Sequence, residues 1–290
     1  MKLKTKIFEY INYKIYRTVI GEISRLTYGN DAGLFNNIKG QKVIRNINEN
    51  LKWSQNLKRY GFSILEKGFH DVQTIEEIKV QFEKSISSVE ANSPKDRKVA
   101  LIEPFLPKVP QVKKLINGNL NVLLDEYYGK NGWKVYRAEA WRNYYWDVPT
   151  DKEVHSDLMH NDYDSIDILR VFIYLNDDIT SLNGATKLLS KADTKAVMRK
   201  GYVTRYAMTK LARNFMNSHL QHMEGNQGFS FIFNPQLCLH AAGRVAKDKK
   251  RDVLVLSFCK TDEPIENFNL PQLEKEQEKL FKSGFSIEWK

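Results

Sequence analysis

From Lys134 onward the chain runs in short segments where β-branched and aromatic residues alternate with polar ones, each closed by turn residues. Strand-like segments fall at 134–146, 158–163, 169–176, 184–190, 228–233, 238–243 and 252–259. Seven or eight such strands in roughly 125 residues bury their apolar sides only by stacking two sheets or closing a barrel, with helices covering exposed edges and faces. A mainly β core with bracing α-helices is therefore expected, interrupted by one helix at 204–216.

Upstream, residues 61–65 read as a short apolar strand. A helix follows, with Thr74 as its cap, Glu77 reaching back to it, and Ile75, Ile78, Phe82, Ile86 and Val89 on its buried face. Pro94, Pro104, Pro107 and Pro110 make 91–113 a surface loop, and 120–128 reads as a short helix. Leu3, Ile7, Tyr10, Ile11, Ile15 and Val19 form one stripe of an amphipathic helix, expected to pack on the main domain in preference to lying on a membrane surface. Residues 21–55 read as loops with a short helix, and Asn269, Pro271 and Gly284 bracket a C-terminal helix. The expected organisation is a helical extension over 1–57, a β core domain over 58–262 and the terminal helix over 263–290.

The longest apolar run, 171–175, is too short to cross a bilayer, and residues 1–20 carry lysine or arginine too often for a signal-peptide core, so a cytoplasmic protein is expected. Cys238 and Cys259 are expected to be reduced core residues, because two thiols make no disulfide framework. Lysine and arginine number 45 against 35 acidic residues. They are dense only at 247–251 and elsewhere scattered as on any solvated surface, which disfavours nucleic acid as a partner and leaves an anionic small molecule compatible.

On a strand, residues two apart share a face, so His160 and Asp162 present an imidazole and a carboxylate side by side. His155-Ser156-Asp157 has the same form. A second imidazole from a strand across the core would complete the two-histidine, one-carboxylate set that holds non-haem Fe(II) and leaves positions open for a cosubstrate and dioxygen. His240 is the candidate. Eleven residues beyond it, Arg251 opens the apolar strand 252–259. A 2-oxoglutarate bound to iron through its keto acid end needs a fixed cation for its distal carboxylate, and a guanidinium fork suits that task. Arg244 is the alternative.

Taken together, these pieces resemble the phytanoyl-CoA dioxygenase-like family of Fe(II)/2-oxoglutarate-dependent oxygenases. The resemblance rests on Met159-His160-Asn161-Asp162 and on the run 169–177, Leu-Arg-Val-Phe-Ile-Tyr-Leu-Asn-Asp. It continues through Asn183-Gly184-Ala185, the run 228–234, the run 240–244 and Arg251, with 61–65 as the opening strand, and so spans about residues 58–260. It implies a double-stranded β-helix, also called a jelly roll, of cupin-like type. It also selects His160 over His155, from the distance to the 169–177 run. The implied reaction couples decarboxylation of 2-oxoglutarate to succinate with hydroxylation, desaturation or oxidative cyclisation of a small organic substrate, and the Asp162 carboxylate argues against halogenation. Met159 stands where the family often has tryptophan, and Leu189-Ser190-Lys191-Ala192 where it often has Pro-Gly-Ser-His. Those departures bear on the substrate. Ile173 and Tyr174 are implied to flank the cosubstrate pocket.

The strand from Val135 puts Arg137, Glu139, Trp141, Asn143 and Tyr145 on one face, a polar mixture that suits either an active-site wall or a face covered by the N-terminal helices. On the first reading Asn143 meets the cosubstrate, and Arg137, Trp141 and Tyr145 join Tyr174 at the substrate. Two rival functions make different demands. A basic, non-catalytic binding module on the same fold would tolerate loss of His160 and His240 and would bind its partner with steep salt dependence. An iron dioxygenase that needs no keto acid would not require Arg251.

Overall fold

The computed structural model describes residues 53–65, 69–92, 99–102, 109–145, 159–162, 167–204 and 207–260. The expected helix at 3–20, the segment 21–52, the C-terminal helix and His155 lie outside the described residues. In chain order the elements are α1 (Trp53–Tyr60), β1 (Phe62–Leu65), α2 (Val72–Asn92), β2 (Val99–Ile102) and α3 (Gln111–Leu115). A π-helical turn (Ile116–Leu120) leads into α4 (Asn121–Tyr128), β3 (Trp133–Tyr144), β4 (Ile168–Tyr174) and β5 (Thr186–Leu188). The chain then forms α5 (Lys191–Arg199), a small hairpin of β6 (Tyr202–Thr204) and β7 (Ala207–Met208), and α6 (Lys210–His219). Last come β8 (Gln221–Met223), β9 (Ser230–Phe233), β10 (His240–Ala241) and β11 (Lys250–Lys260).

The strands form a six-stranded antiparallel sheet, ordered β1-β9-β4-β11-β3-β2, and a three-stranded one, β10-β5-β8. Alternation along β4 and β11 divides the large sheet into two apolar faces. Phe172, Tyr174, Val253 and Val255 join Phe62, Phe231 and Phe233 against Leu188 and Met223 of the small sheet, so the two sheets share one core. Leu169, Val171, Ile173, Leu254 and Leu256 point the other way, onto Ile75, Ile78, Phe82, Ile86, Leu120 and Leu124 of the helical layer. Both faces are therefore dry, which explains why β4 and β11 are apolar almost throughout.

The strand expectations were met within a few residues, except that the described part of 158–163, residues 159–162, contributes a single bridge at His160. Other departures have local causes. Asp71, not Thr74, caps α2: its Oδ2 accepts from the Thr74 N–H at 2.9 Å and from the Thr74 hydroxyl at 2.7 Å, so the helix starts earlier. Between Pro94 and Pro104, the four residues of β2 pair with β3 where a loop was expected. Helix α5 had no expectation although its signal is present: the Ser190 hydroxyl accepts from the Asp193 N–H at 3.1 Å, the usual Ser-x-x-acid start. The helix expected at 204–216 begins only at Lys210, because the chain first makes the β6-β7 hairpin. Neither Cys238 nor Cys259 is in a disulfide and both are buried, as expected. Gly61, at φ +82°, leaves no room for a side chain, since a Cβ there would stand 2.6 Å from the Cys238 sulfur.

The helical layer is pinned electrostatically. Arg142 sends Nε and Nη2 to the Asp252 carboxylate at 2.8 and 2.9 Å, and Nη2 also meets Glu83 of α2 at 2.7 Å. Both Arg142 and Asp252 are buried, and removing Arg142 leaves the Asp252 carboxylate buried with Lys250 Nζ at 3.8 Å in place of its two close bonds. Arg142→Ala is expected to lower unfolding stability by about 3–5 kcal/mol in a urea titration. The double variant Arg142→Ala/Asp252→Ala should lose less than the sum of the two single variants.

His70 adds a pH dependence. Burial pushes its imidazole down to about 4 from 6.5, and its Nε2 has no hydrogen-bond partner. The unfolded chain takes a proton near 6.5 that the folded chain resists until about 4, so stability falls as pH drops through that window. Between pH 7 and 5 the loss from this residue is about 2 kcal/mol, and His70→Phe should remove that part of the pH dependence in denaturant titrations.

Candidate metal centre and its buried arginine

The two histidines meet because their backbones pair. His160 and His240 form an antiparallel bridge, each N–H donating to the other's carbonyl at 2.9 and 2.8 Å, and His240 in turn pairs with Leu188 of β5. Directly opposed residues share a face, so the imidazoles stand side by side with ring centroids 4.5 Å apart. Asp162, two residues on, is anchored by its N–H to the Pro235 carbonyl at 3.0 Å. Nε2 of His160 and Nε2 of His240 each lie 3.7 Å from an oxygen of its carboxylate. The three ligand atoms all fall within 4.8 Å of one another.

This donor set fits a divalent ion. Nitrogen and oxygen ligands about 2.0–2.2 Å from one ion stand about 3–4 Å apart, so only small side-chain adjustments are needed. The tautomer of His240 is fixed as well. A carbonyl only accepts, so Nδ1 donates to the Cys238 carbonyl at 3.1 Å, which leaves the Nε2 lone pair facing Asp162. Burial pushes His240 down to about 4 despite the upward pull of Asp162, so the imidazole is neutral and able to ligate. The spacing of the loop after β10 is also constrained. A Cβ on Gly243 would lie 2.3 Å from the Ala185 carbonyl oxygen, so a glycine three residues past His240 lets this loop pass against the start of β5.

Arg251 sits on the inner face of β11, 2% exposed. Its Nε and Nη2 donate to Asn143 Oδ1 at 3.0 and 2.6 Å, and its Nη1 to the Gly184 carbonyl at 2.6 Å and the Thr186 hydroxyl at 3.4 Å. All these acceptors are neutral oxygens. Thr186 lies two residues before Leu188, the partner of His240, so along β5 the guanidinium is about 7 Å from the histidine row. That is the reach of a five-carbon diacid. The alternative, Arg244, is exposed.

The other expected residues separate clearly. Asn143 meets Arg251, and Trp141 packs at the edge of the inter-sheet core with its ring edge-on to Phe172 at 6.0 Å. Arg137 pairs with Glu139, whose other oxygen accepts from Trp141 Nε1 at 2.9 Å. Tyr145 is exposed beyond the end of β3. Tyr174 is fully buried between the sheets, its hydroxyl donating to the Met223 carbonyl at 2.7 Å and accepting from the Thr186 N–H at 3.1 Å. It ties the two sheets together beside Arg251. Ile173 corrects the expectation: strand alternation turns it away from Arg251, into the helical layer.

Two residues at the site escaped sequence reading. Thr186 gave no signal beyond its place after Asn183-Gly184-Ala185. Arg170 did: it is the one charged residue in β4, and it lies between Leu169 and Val171. It projects inward and forms an ion pair with the Asp162 carboxylate.

Among solved structures, the epimerase SnoN, in complex with Fe3+, alpha ketoglutarate and nogalamycin RO, superposes with TM-score 0.51 at 10% identity over 72% of this chain and 82% of that one. AviO1 from Streptomyces viridochromogenes Tue57 does so with TM-score 0.51 at 12% identity, over 73% and 95%. The non-haem monooxygenase ThoJ, in its apo form, gives TM-score 0.50 at 11% identity, over 72% and 77%. The likeness is one of fold. No family model and no curated protein sequence matches the chain. No helix among the described residues is long and apolar enough to cross a membrane.

Proposed function

We propose that this protein is an Fe(II)- and 2-oxoglutarate-dependent oxygenase on a double-stranded β-helix, of the phytanoyl-CoA dioxygenase-like kind, acting on a small organic substrate. The observation that carries the reading is the pairing of the His160–Asp162–His240 cluster with a buried arginine of the large sheet that reaches Thr186, one row along β5 from the partner of His240. Either part alone is common. Together they match the two ends of a keto diacid, and the SnoN structure of like fold holds both iron and alpha ketoglutarate.

When bound, the iron supplies the redox chemistry that couples decarboxylation of 2-oxoglutarate to succinate with oxidation of a substrate C–H bond by dioxygen. The chain's own residues prepare the ground. His160, His240 and Asp162 hold the metal, with His240 kept neutral and oriented by the Cys238 carbonyl. Arg251, preset by Asn143 and Thr186, takes the distal carboxylate, and Phe172, Phe231 and Phe233 keep the inter-sheet space dry. Hydroxylation is the default outcome, with desaturation and oxidative cyclisation open to the same centre.

Incubating the full chain with Fe(II), 2-oxoglutarate and air should release succinate, slowly without substrate and faster when a metabolite mixture contains one. Absence of succinate under every condition, joined to absence of metal binding, would remove this reading.

A further inference from the structure

The chain between β5 and β8 builds a layer on the outer side of the small sheet. Cys238 points into the inter-sheet core, where the His240 ring also meets Phe233 at 5.0 Å. Alternation turns the neighbouring residues the other way. Met159, Leu239 and Ala241 point outward and pack on Val197 of α5, Tyr202 of β6 and Met216 of α6. The outer layer therefore lies directly behind the strands that carry the metal histidines.

Two hydroxyls of this layer reach the backbone. The Tyr202 hydroxyl donates to the Met159 carbonyl at 2.6 Å, and the Leu239 N–H donates to the Thr194 hydroxyl of α5 at 2.9 Å. All four residues are buried. Met159 and Leu239 each come one position before a metal histidine. The Met159 carbonyl and the His160 N–H belong to one peptide, so Tyr202 holds it at one edge and the His240 carbonyl, at 2.9 Å, at the other. The Cys238 carbonyl and the Leu239 N–H belong to another. There Thr194 holds the N–H, while the carbonyl accepts from His240 Nδ1 at 3.1 Å. Because a peptide is planar, an N–H fixed at one edge also aims the carbonyl at the other. Apolar packing attaches the layer to the sheet without fixing the rotation of a peptide, since it is non-directional; a hydrogen bond weakens steeply with angle and so does fix it.

We propose that Thr194 and Tyr202 are positioning residues of the metal centre. Thr194 aims the Cys238 carbonyl that orients the His240 ring, and Tyr202 sets the peptide plane from which His160 departs. The proposal deepens the oxygenase reading and rests on its metal site alone. Losing the outer partner of a ligating imidazole costs about 10–100-fold in metal affinity. In this protein that partner would be loosened rather than lost, which places the effect at the lower end.

The test is calorimetric titration of the full chain with Ni(II), a redox-inactive stand-in for Fe(II). Thr194→Val and Tyr202→Phe remove one hydroxyl each with little change of shape, and each should weaken Ni(II) binding by about tenfold. Thr194→Ser, which restores the hydroxyl, should stay within about threefold of the wild type. Thermal melts of the metal-free chains show that each variant is folded, and Tyr202→Phe carries the test should Thr194→Val not fold. Asp71→Ala is the control for stability alone. It removes the cap of α2, in the helical layer, and should lower the melt while leaving Ni(II) affinity within about twofold. Unchanged affinity in either folded hydroxyl-deletion variant, an equal loss in Asp71→Ala, or no recovery in Thr194→Ser would overturn the proposal. A wild-type chain that takes up no Ni(II) would instead sink the oxygenase reading, and this proposal with it.

Discussion

His240→Ala is expected to abolish stoichiometric binding of ferrous iron and to reduce 2-oxoglutarate turnover by about 10³-fold or more, the scale of a lost metal centre. The side chain is buried, neutral and directed at Asp162 by the Cys238 carbonyl, so no neighbouring group takes its place. His160→Ala should act alike. His219→Ala is the control: that imidazole stacks on Phe215 at 3.9 Å on α6, and its loss should leave metal binding and turnover unchanged. Equilibrium dialysis against Fe(II) without oxygen, followed by succinate measurement, separates the two outcomes. A basic binding module on this fold would show no difference among the three variants.

Arg251→Ala should act on the cosubstrate rather than on the metal. Removing a buried fork that binds a carboxylate costs about 3 kcal/mol, or roughly a hundredfold in KM for 2-oxoglutarate. Iron binding should change little, because Arg251 lies one row away from the ligands along β5. Arg251→Lys should recover only part of the loss, since an ammonium neither spans both carboxylate oxygens nor replaces the paired bonds to Asn143. The variant should also melt earlier, as Asn143 and the Gly184 carbonyl lose their donor. Steady-state KM against kcat, with a thermal melt in parallel, distinguishes the cosubstrate effect from general destabilisation. An enzyme that needs no keto acid would show the melt change alone.

The strands were legible because period-two alternation and turn residues are local, and each side of β4 and β11 has its own apolar partner. The triad was legible for a similar reason: His160 and Asp162 are neighbours in sequence, and His240 follows an aromatic strand at a recognisable distance. What local pattern could not carry was partnership across the core. Nothing near Thr186 reports that it meets Arg251, and Ile173 was misassigned because the resemblance places a residue near the pocket without saying which way its strand faces. Arg142 and Asp252, to which the sequence analysis assigned no role, are buried partners 110 positions apart. Arg170 lies between these cases. A charge inside a dry strand was a visible irregularity, and only the pairing with Asp162 gives it meaning.

The central claim, that one pocket holds iron at His160, Asp162 and His240 and a keto acid between that iron and Arg251, is most directly tested by an oxygen-free titration of the full chain. Fe(II) is added first and 2-oxoglutarate second, while the visible charge-transfer absorption of an iron-chelated keto acid is followed. The expected result is one iron per chain and a band that saturates with 2-oxoglutarate, absent in His240→Ala and shifted to much higher 2-oxoglutarate in Arg251→Ala. A wild-type chain that binds no iron, or a band indifferent to both substitutions, would contradict it.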